Sequence, residues 1–134
     1  MPVRGLDHVA ITCLDIEATL SFYKRVLGAT TLYEDEWRAG KIPVVLLQVG
    51  ESRMSIHDAA SPAKPHANLP TPGSEDVCFR FDGPIAEAQA QLAAESVEVI
   101  EGPVPRPAAD GTLGQSVYFR DPDGNLLEFL STDG

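Results

Sequence analysis

One order of strand and helix signals occurs twice along the chain, and this repeat limits the possible fold more than any other feature of the sequence. In the first half, residues 4–12 alternate as a strand does, and Asp15 can cap a helix that ends at Gly28. Three further strand patterns follow, at residues 30–35, 44–49 and 53–57. The first half therefore predicts the order βαβββ.

The second half repeats this order at a constant offset for its first two elements. In residues 76–81, Asp76, Cys78 and Arg80 on one face alternate with apolar residues on the other. A helix is predicted from Pro84 to about Ala94. The first strands carry His8 and Asp76, and the offset between these two equals the offset between the starts of the two helices. The later strand patterns lie at residues 97–100, 115–119 and 126–130. The second half is therefore also predicted as βαβββ.

The repeat predicts a single α+β domain of residues 1–134, built from two modules at about 4–58 and 75–132. Between the modules, residues 59–74 contain four prolines, a density that neither a helix nor a central strand accepts. An extended connector is expected there. Residues 103–107 are also rich in proline and are expected to form a loop.

The charge of the chain limits its partners. Twenty acidic against ten basic residues give a net charge of −10, which phosphate backbones and anionic membrane surfaces would repel. We therefore expect neither nucleic acid nor a membrane as a partner. No stretch approaches the roughly 18 apolar residues of a membrane span, and no signal-peptide pattern is present, so a cytoplasmic location is predicted. Cys13 and Cys78 lie in strand patterns and are expected to be reduced packing residues.

Four polar side chains fall at matching places in the two modules, on the first and the last strand of each. They are His8, His57, Asp76 and Glu128. Strand alternation puts each of them opposite its apolar neighbours, on the face away from the helices. If the modules form one curved sheet, its concave surface gathers two imidazoles and two carboxylates. Such mixed ligation suits a divalent ion of Ni, Zn, Mn, Fe or Co.

Each of the four residues also has an interpretation without a metal. A single histidine on a strand is usually exposed or hydrogen-bonded. Asp76 can equally start a strand or cap a turn. Glu128 is harder to explain in this way, because an unpaired carboxylate among leucines and phenylalanine is costly to desolvate. The third histidine, His66, lies in the connector and is expected to be solvated.

Three segments resemble the vicinal oxygen chelate superfamily: Leu6–Val9, Phe22–Gly28 and, above all, Tyr118–Glu128 with its Asp-Pro-Asp-Gly-Asn run. This superfamily includes glyoxalase I, fosfomycin-resistance enzymes, extradiol dioxygenases, methylmalonyl-CoA epimerases and bleomycin-resistance proteins. Residues 64–74, followed by Asp76, are similar to its glyoxalase domain-containing, virulence-protein-like branch, which is lactoylglutathione lyase-like. The resemblance covers nearly the whole chain.

The resemblance implies a curved mixed β-sheet built from both modules, with helices on its convex side and a metal in its cleft. Carried over position by position, the ligands are His8, His57, Asp76 and Glu128. Glyoxalase I enzymes typically show His, Glu or Gln, His and Glu in that order, whereas this chain has His, His, Asp and Glu. Asp76 is therefore a metal ligand, a residue that contacts a ligand without binding the metal, or a general base. The cleft closes within one chain or across a homodimer, since the superfamily does both.

The favoured hypothesis is a metal-dependent lyase or isomerase that acts on a small molecule chelated through two neighbouring oxygens. The metal would act as a Lewis acid, and Glu128 or Asp76 would move the proton as general base. Arg53 and Tyr118 have the strand parity to reach the same cleft, where they could bind a carboxylate and a carbonyl. A surface charge and a core aromatic residue are the alternatives for these two.

The rival hypothesis is a protein of the bleomycin-resistance type, which sequesters a drug without turning it over. The net charge of −10 would suit a cationic ligand, and Trp37, Tyr33 and Phe81 could stack on it. Trp37 lies between strand patterns, on a mobile lid or at a plain hairpin tip. A dioxygenase-type member of the superfamily is a second alternative.

Overall fold

The computed structural model describes residues 2–134. The chain divides into two compact units, Met1–Gly73 and Ser74–Gly134, and we describe each unit by itself. The division falls at the end of the proline-rich connector.

Unit 1 contains a four-stranded mixed sheet and two helices. Its strands are β1 (Val9–Cys13), β2 (Thr30–Leu32), β3 (Val45–Val49) and β4 (Ser52–Asp58), and its helices are α1 (Ile16–Leu27) and α2 (Glu34–Arg38). The strand order is β1-β4-β3-β2. Strand β1 runs parallel to β4, and the other two pairs are antiparallel. The first and last strands of the module are therefore neighbours.

Helix α1 forms where the sequence predicts it, because both of its ends are specified locally. The Asp15 carboxylate accepts a hydrogen bond from the backbone N–H of Ala18 at 3.2 Å, and Gly28 ends the helix in the left-handed region with a φ of 69°. The apolar face contacts β3 and β4. It contributes Leu20, Tyr23 and Val26 to the core.

Unit 2 repeats the arrangement with one helix. Its elements are β5 (Asp76–Arg80), α3 (Ile85–Ala94), β6 (Glu101–Pro107), β7 (Leu113–Arg120) and β8 (Leu126–Ser131). The strand order is β5-β8-β7-β6, again with the first and last strands parallel. Helix α3 contacts β7 and β8 and covers Val117, Phe119, Leu127 and Phe129. The predicted α+β class and the two βαβββ modules are confirmed.

Three strands differ from their predictions, and the first of them, β1, begins at Val9 rather than at residue 4. The strand expected at residues 97–100 lies at Glu101–Pro107, in the stretch predicted as a loop. Prolines are tolerated there because β6 is an edge strand that pairs only with β7. Strand β2 ends at Leu32 rather than residue 35, since helix α2 begins at Glu34.

The cysteines and the helices bear on two further expectations. Cys13 and Cys78 are both free thiols, and Cys13 is buried as expected. Cys78 is free as expected but exposed, so the expectation that it is a packing residue is wrong. Among the described residues, no helix is long and apolar enough to cross a membrane.

Candidate functional site

The polar face of the unit 2 sheet surrounds Glu128. Along β8, Leu127 and Phe129 are buried, and Glu128 between them points to the opposite face. The strand register sets Glu128 beside Cys78 of β5 on one side and Tyr118 of β7 on the other. Three neighbouring strands thus bring a carboxylate, a thiol and a phenol onto one surface.

A cavity of about 480 Å³ opens on this face, and we call it the Glu128 cavity. Its lining includes the side chains of Cys78, Arg80, Arg106, Tyr118, Glu128 and Leu130. A volume of this size is typical of small-molecule sites. Glu128 and Tyr118 were predicted from the sequence to take part in a site, and the structure brings these two together.

A buried serine orients the Glu128 carboxylate. The Ser116 hydroxyl, which is fully buried, donates a hydrogen bond to Glu128 Oε2 at 2.5 Å. Desolvation, the negative charge of Glu128 and a hydrogen bond to its carboxylate raise the pKa of the Cys78 thiol to about 12. Cys78 is therefore a neutral thiol at neutral pH.

Arg106 and Tyr118 contact each other on the wall of the cavity. Arg106 Nε donates to the Tyr118 hydroxyl at 2.9 Å, and the guanidinium carbon lies 5.6 Å from the centre of the tyrosine ring. Arg106 Nη1 also donates to the Pro105 carbonyl at 2.8 Å. Sequence reasoning missed Arg106, because it lies in the stretch that its prolines marked as a loop. It noted that Arg80 shares a face with Asp76 and Cys78 but assigned it no role.

Asp76 lies near the cavity but is not among its lining residues. It starts β5 on the same face as Cys78, and its register partner on β8 is Leu126, two residues before Glu128. Its negative charge contributes to the raised pKa of Cys78. The assignment of Asp76 as a ligand or a base stays a prediction.

The two predicted histidine ligands of unit 1 lie towards opposite ends of the β1–β4 pair. His57 is the register partner of Thr12, near the end of β1, whereas His8 comes just before β1 begins at Val9. The half-buried ring of His57 has Nε2 3.1 Å from the Ser55 hydroxyl. Burial first, and then repulsion by His8 and His66, lower the pKa of His57. A lowered pKa favours the neutral imidazole, which is the form that binds metals.

His8 is held by its neighbour in the chain. Its Nδ1 lies 2.8 Å from a carboxylate oxygen of Asp7, and the hydrogen bond and charge of His8 lower the pKa of Asp7. This contact leaves Nε2 of the imidazole for another partner. A carboxylate on the second ring nitrogen is a common companion of metal-binding histidines.

The strand register shows which residue of β4 corresponds to Glu128 of β8. The offset that relates His8 to Asp76 also relates Ala10 to Cys78. Ala10 pairs with Ser55 in unit 1, and Cys78 pairs with Glu128 in unit 2. The residue of unit 1 that matches Glu128 is therefore Ser55, and His57 lies two residues further along its strand. The prediction that His57 and Glu128 occupy matching places is wrong in register, although both keep the predicted facing.

Arg53 lines a second cavity, of about 430 Å³, in unit 1. Arg4, Asp7, Gln48 and Glu51 are among its other lining residues. Arg53 Nε donates to the Gln48 side chain at 2.9 Å. Arg53 thus lies beside the Asp7 carboxylate that contacts His8, and its role in binding substrate stays a prediction.

Trp37 lies on helix α2, not at a hairpin tip. Its ring is half-buried, and the Arg38 guanidinium carbon lies 5.1 Å from the ring centre. Arg38 also pairs with Glu17 of α1 at 2.6 Å, which ties α2 to the longer helix. The proposed substrate contact of Trp37 stays a prediction.

A metal centre would need several ligands close together. Within neither unit do the described residues bring three or more His, Cys, Asp or Glu side chains into a group that could hold a metal ion. The histidine pair lies in unit 1 and the carboxylate pair in unit 2.

The Asp-Pro-Asp-Gly-Asn run forms a structural turn before β8. The buried Asp121 carboxylate accepts hydrogen bonds from the backbone N–H groups of Asp123 and Asn125, each at 3.0 Å, and from the Asn125 side chain at 2.8 Å. Asn125 Oδ1 in turn accepts from the backbone N–H of Glu75 at 2.9 Å. The turn therefore joins the beginning of β5 to the beginning of β8.

Comparisons with known proteins place the chain among relatives. Residues 5–129 match the family model described as Glyoxalase/Bleomycin resistance protein/Dioxygenase superfamily. Glyoxalase domain-containing protein RDO1 of Mycosarcoma maydis is 39% identical over 131 residues, which cover 98% of this chain and 70% of that protein. Virulence protein STM3117 of Salmonella typhimurium is 35% identical over 128 residues, covering 96% of this chain and 84% of that protein. The crystal structure of STM3117 has a TM-score of 0.87, with 98% of each chain covered and 34% identity.

More distant solved structures share the fold alone. Lactoylglutathione lyase from Agrobacterium tumefaciens has a TM-score of 0.70 at 22% identity, covering 97% of this chain and 95% of that one. TnmS3, an antibiotic binding protein from a Streptomyces species, has a TM-score of 0.74 at 20% identity, with 98% of each chain covered. Proteins that share this fold therefore include both an enzyme and a binding protein.

Proposed function

Because the chain belongs to the glyoxalase/bleomycin resistance protein/dioxygenase superfamily, we propose that it is a metal-dependent enzyme of the lyase or isomerase type acting on a small oxygenated molecule. The observation that carries this proposal is the Glu128 carboxylate in the wall of a cavity, oriented by the buried hydroxyl of Ser116. A half-buried carboxylate with one oxygen fixed and access to a cavity suits a general base.

Glu128 would take a proton from a substrate carbon next to an oxygen and return it to the neighbouring atom. The hydrogen bond from Ser116 to Oε2 keeps the carboxylate in one orientation during both transfers. The neutral Cys78 thiol beside it adds no second negative charge and is a poor nucleophile. The Tyr118 phenol, held by Arg106, is placed to donate to a substrate oxygen.

The proposed metal ligands are the predicted set of His8, His57, Asp76 and Glu128. The donor chemistry supports a divalent ion, since His8 keeps its Nε2 for a ligand bond and the lowered pKa of His57 favours the neutral ring. When bound, such an ion supplies Lewis-acid polarisation of two neighbouring substrate oxygens. The metal identity, the homodimer and the cytoplasmic location stay predictions.

The first test combines metal content with turnover. We expect the chain, purified without a chelator or a metal-binding tag, to carry nearly one divalent ion and to turn over the hemithioacetal of methylglyoxal and glutathione or a related substrate. Glu128→Gln should lower kcat/KM by about 100-fold or more. Glu98→Gln changes an exposed carboxylate of the same unit and is the matched control.

Two results would count against the proposal. One is a parent protein that neither holds nor takes up Ni, Zn, Mn, Fe or Co. The other is equal turnover by the parent and Glu128→Gln. Tight binding of a drug that ignores chelation and gives no product would favour sequestration instead, in line with the antibiotic binding that the name of TnmS3 gives for that protein.

A further inference from the structure

The cationic side chains of unit 2 are concentrated at one place. Residues 74–134 contain three arginines and no lysine, against twelve aspartates and glutamates. Two of the three arginines, Arg80 and Arg106, line the Glu128 cavity. Glu128 is the one carboxylate in that lining. The cavity therefore has a net positive lining on a unit that is otherwise strongly acidic.

Neither arginine is held in an ion pair, although Arg80 is close enough to Asp110 for their charges to interact. Within the described residues, no carboxylate lies within 4 Å of either guanidinium as an ion pair. Arg80 donates through Nη2 to the Thr132 hydroxyl at 2.7 Å, which leaves Nε and Nη1. Arg106 donates through Nε and Nη1, which leaves Nη2. Each guanidinium thus keeps donors for a ligand.

Tyr118 adds a third donor. Its hydroxyl oxygen accepts the hydrogen bond from Arg106 Nε at 2.9 Å, so its own proton is free to be donated elsewhere. Contact with the guanidinium polarises the hydroxyl, so it donates more strongly to a negatively charged partner. Two guanidinium groups and a phenol hydroxyl are hydrogen-bond donors of the kind that bind a carboxylate or a phosphoryl group.

We propose that the Glu128 cavity binds a small molecule through an anionic carboxylate or phosphoryl group, held by Arg80, Arg106 and Tyr118. This inference rests on the cavity being the substrate site of the proposed function. It assigns the anionic end of the substrate to the two arginines and leaves Glu128 for the reacting end. It also reverses the expectation of a cationic ligand that the net charge of −10 suggests, because the local charge of the cavity is opposite to that of the chain.

The test uses the full chain and three probes: inorganic phosphate, acetate and neutral acetamide. We expect phosphate or acetate, but not acetamide, to shift the heteronuclear NMR signals of Arg80, Arg106 and Tyr118. If phosphate binds more tightly, the site recognises a phosphoryl group, and if acetate binds more tightly, it recognises a carboxylate. Arg80→Gln and Arg106→Gln should each weaken that anion by about tenfold. Arg120→Gln, the third arginine of the unit, should bind as the parent does, because Arg120 is not among the cavity-lining residues.

Two outcomes would overturn the inference: neither anion shifts these signals in the parent, or both cavity variants bind phosphate and acetate as tightly as the parent. Arg80→Gln keeps the test valid if Arg106→Gln disturbs Tyr118, since Arg80 is exposed and does not contact that ring. Glu128→Gln separates this inference from the proposed function. It should lose turnover while binding phosphate at least as tightly. Unchanged turnover in Glu128→Gln would refute the catalytic proposal and leave the anion site standing.

Discussion

The side-chain amide of Asn125 uses both its nitrogen and its oxygen in hydrogen bonds inside the protein. Asn125 is 1% exposed, and its amide both donates to Asp121 and accepts from the backbone of Glu75. The second contact fixes β5 against β8, and the register that follows places Cys78 opposite Glu128. The most specific motif in the sequence thus positions the candidate site without lining its cavity.

Replacing Asn125 should therefore cost stability as well as site geometry. Asn125→Ala leaves the Glu75 N–H and the Asp121 carboxylate without this partner in a buried place, at a cost of about 2–3 kcal/mol of unfolding free energy. Urea denaturation measures this directly. Asn68→Ala, at an exposed position of the connector, is the control and should leave the midpoint unchanged. Equal midpoints for the two variants would contradict the role given to Asn125.

At the scale of elements, α2 is a five-residue helix that depends on its side-chain contacts. Glu34 accepts hydrogen bonds from Thr31 at 2.7 Å, Arg38 at 2.8 Å and Lys24 at 3.1 Å. Isolated helices of this length are not stable. Glu34 therefore joins α2 to the end of α1 and to β2, and it keeps Trp37 on a fixed helix.

The hydrogen bonds that Glu34 accepts should make the stability of the chain depend on pH. The hydrogen bonds from Thr31, Arg38 and Lys24 lower the pKa of Glu34 from 4.5 to about 2. Because the folded pKa is below the unfolded one, the contribution of Glu34 is complete above about pH 4.5 and is lost as the pH falls towards 2. We expect Glu34→Gln to destabilise the chain by about 1 kcal/mol at pH 7, a value kept small by solvent screening, and by almost nothing near pH 2.

Asp35→Asn removes an adjacent exposed carboxylate and is the matched control for Glu34→Gln. Unfolding midpoints of both variants and the parent, measured from pH 7 to pH 2, provide the comparison. If Glu34→Gln and Asp35→Asn follow the same curve, the three hydrogen bonds do not stabilise α2.

At the scale of the whole molecule, the proposed ligands come from both units, two histidines from unit 1 and two carboxylates from unit 2. A metal that binds only the folded chain stabilises it by mass action, by about 2.7 kcal/mol at 100 times its Kd. For a chain of this size, that corresponds to a rise in Tm of several degrees.

We therefore expect Ni, Zn, Mn, Fe or Co to raise the Tm of the chelator-treated protein in a concentration-dependent way. His57→Gln and Glu128→Gln, one from each unit, should both abolish the rise. His66→Gln, which changes an exposed connector histidine, should keep it. A rise that survives in both ligand variants would mean that the metal binds elsewhere.

The sequence by itself determined the features that depend on neighbouring residues. The cap at Asp15, the end of α1 at Gly28 and the order βαβββ follow from local periodicity and turn chemistry. Strand parity also indicated that Cys78 and Arg80 share the polar face, because side chains alternate with period two. These signals require no knowledge of which strand lies beside which.

Only the tertiary structure decided which residues meet across strands. That Ser55, not His57, matches Glu128 follows from the pairing of β1 with β4, which lie far apart in the sequence. The contact of Arg106 with Tyr118 depends on β6 forming at a sheet edge despite its prolines. Local periodicity carries no information on register or on edge position, since both result from long-range pairing and loop length. That is why the sequence indicated the Glu128 carboxylate but gave Arg80 no role and did not indicate Arg106.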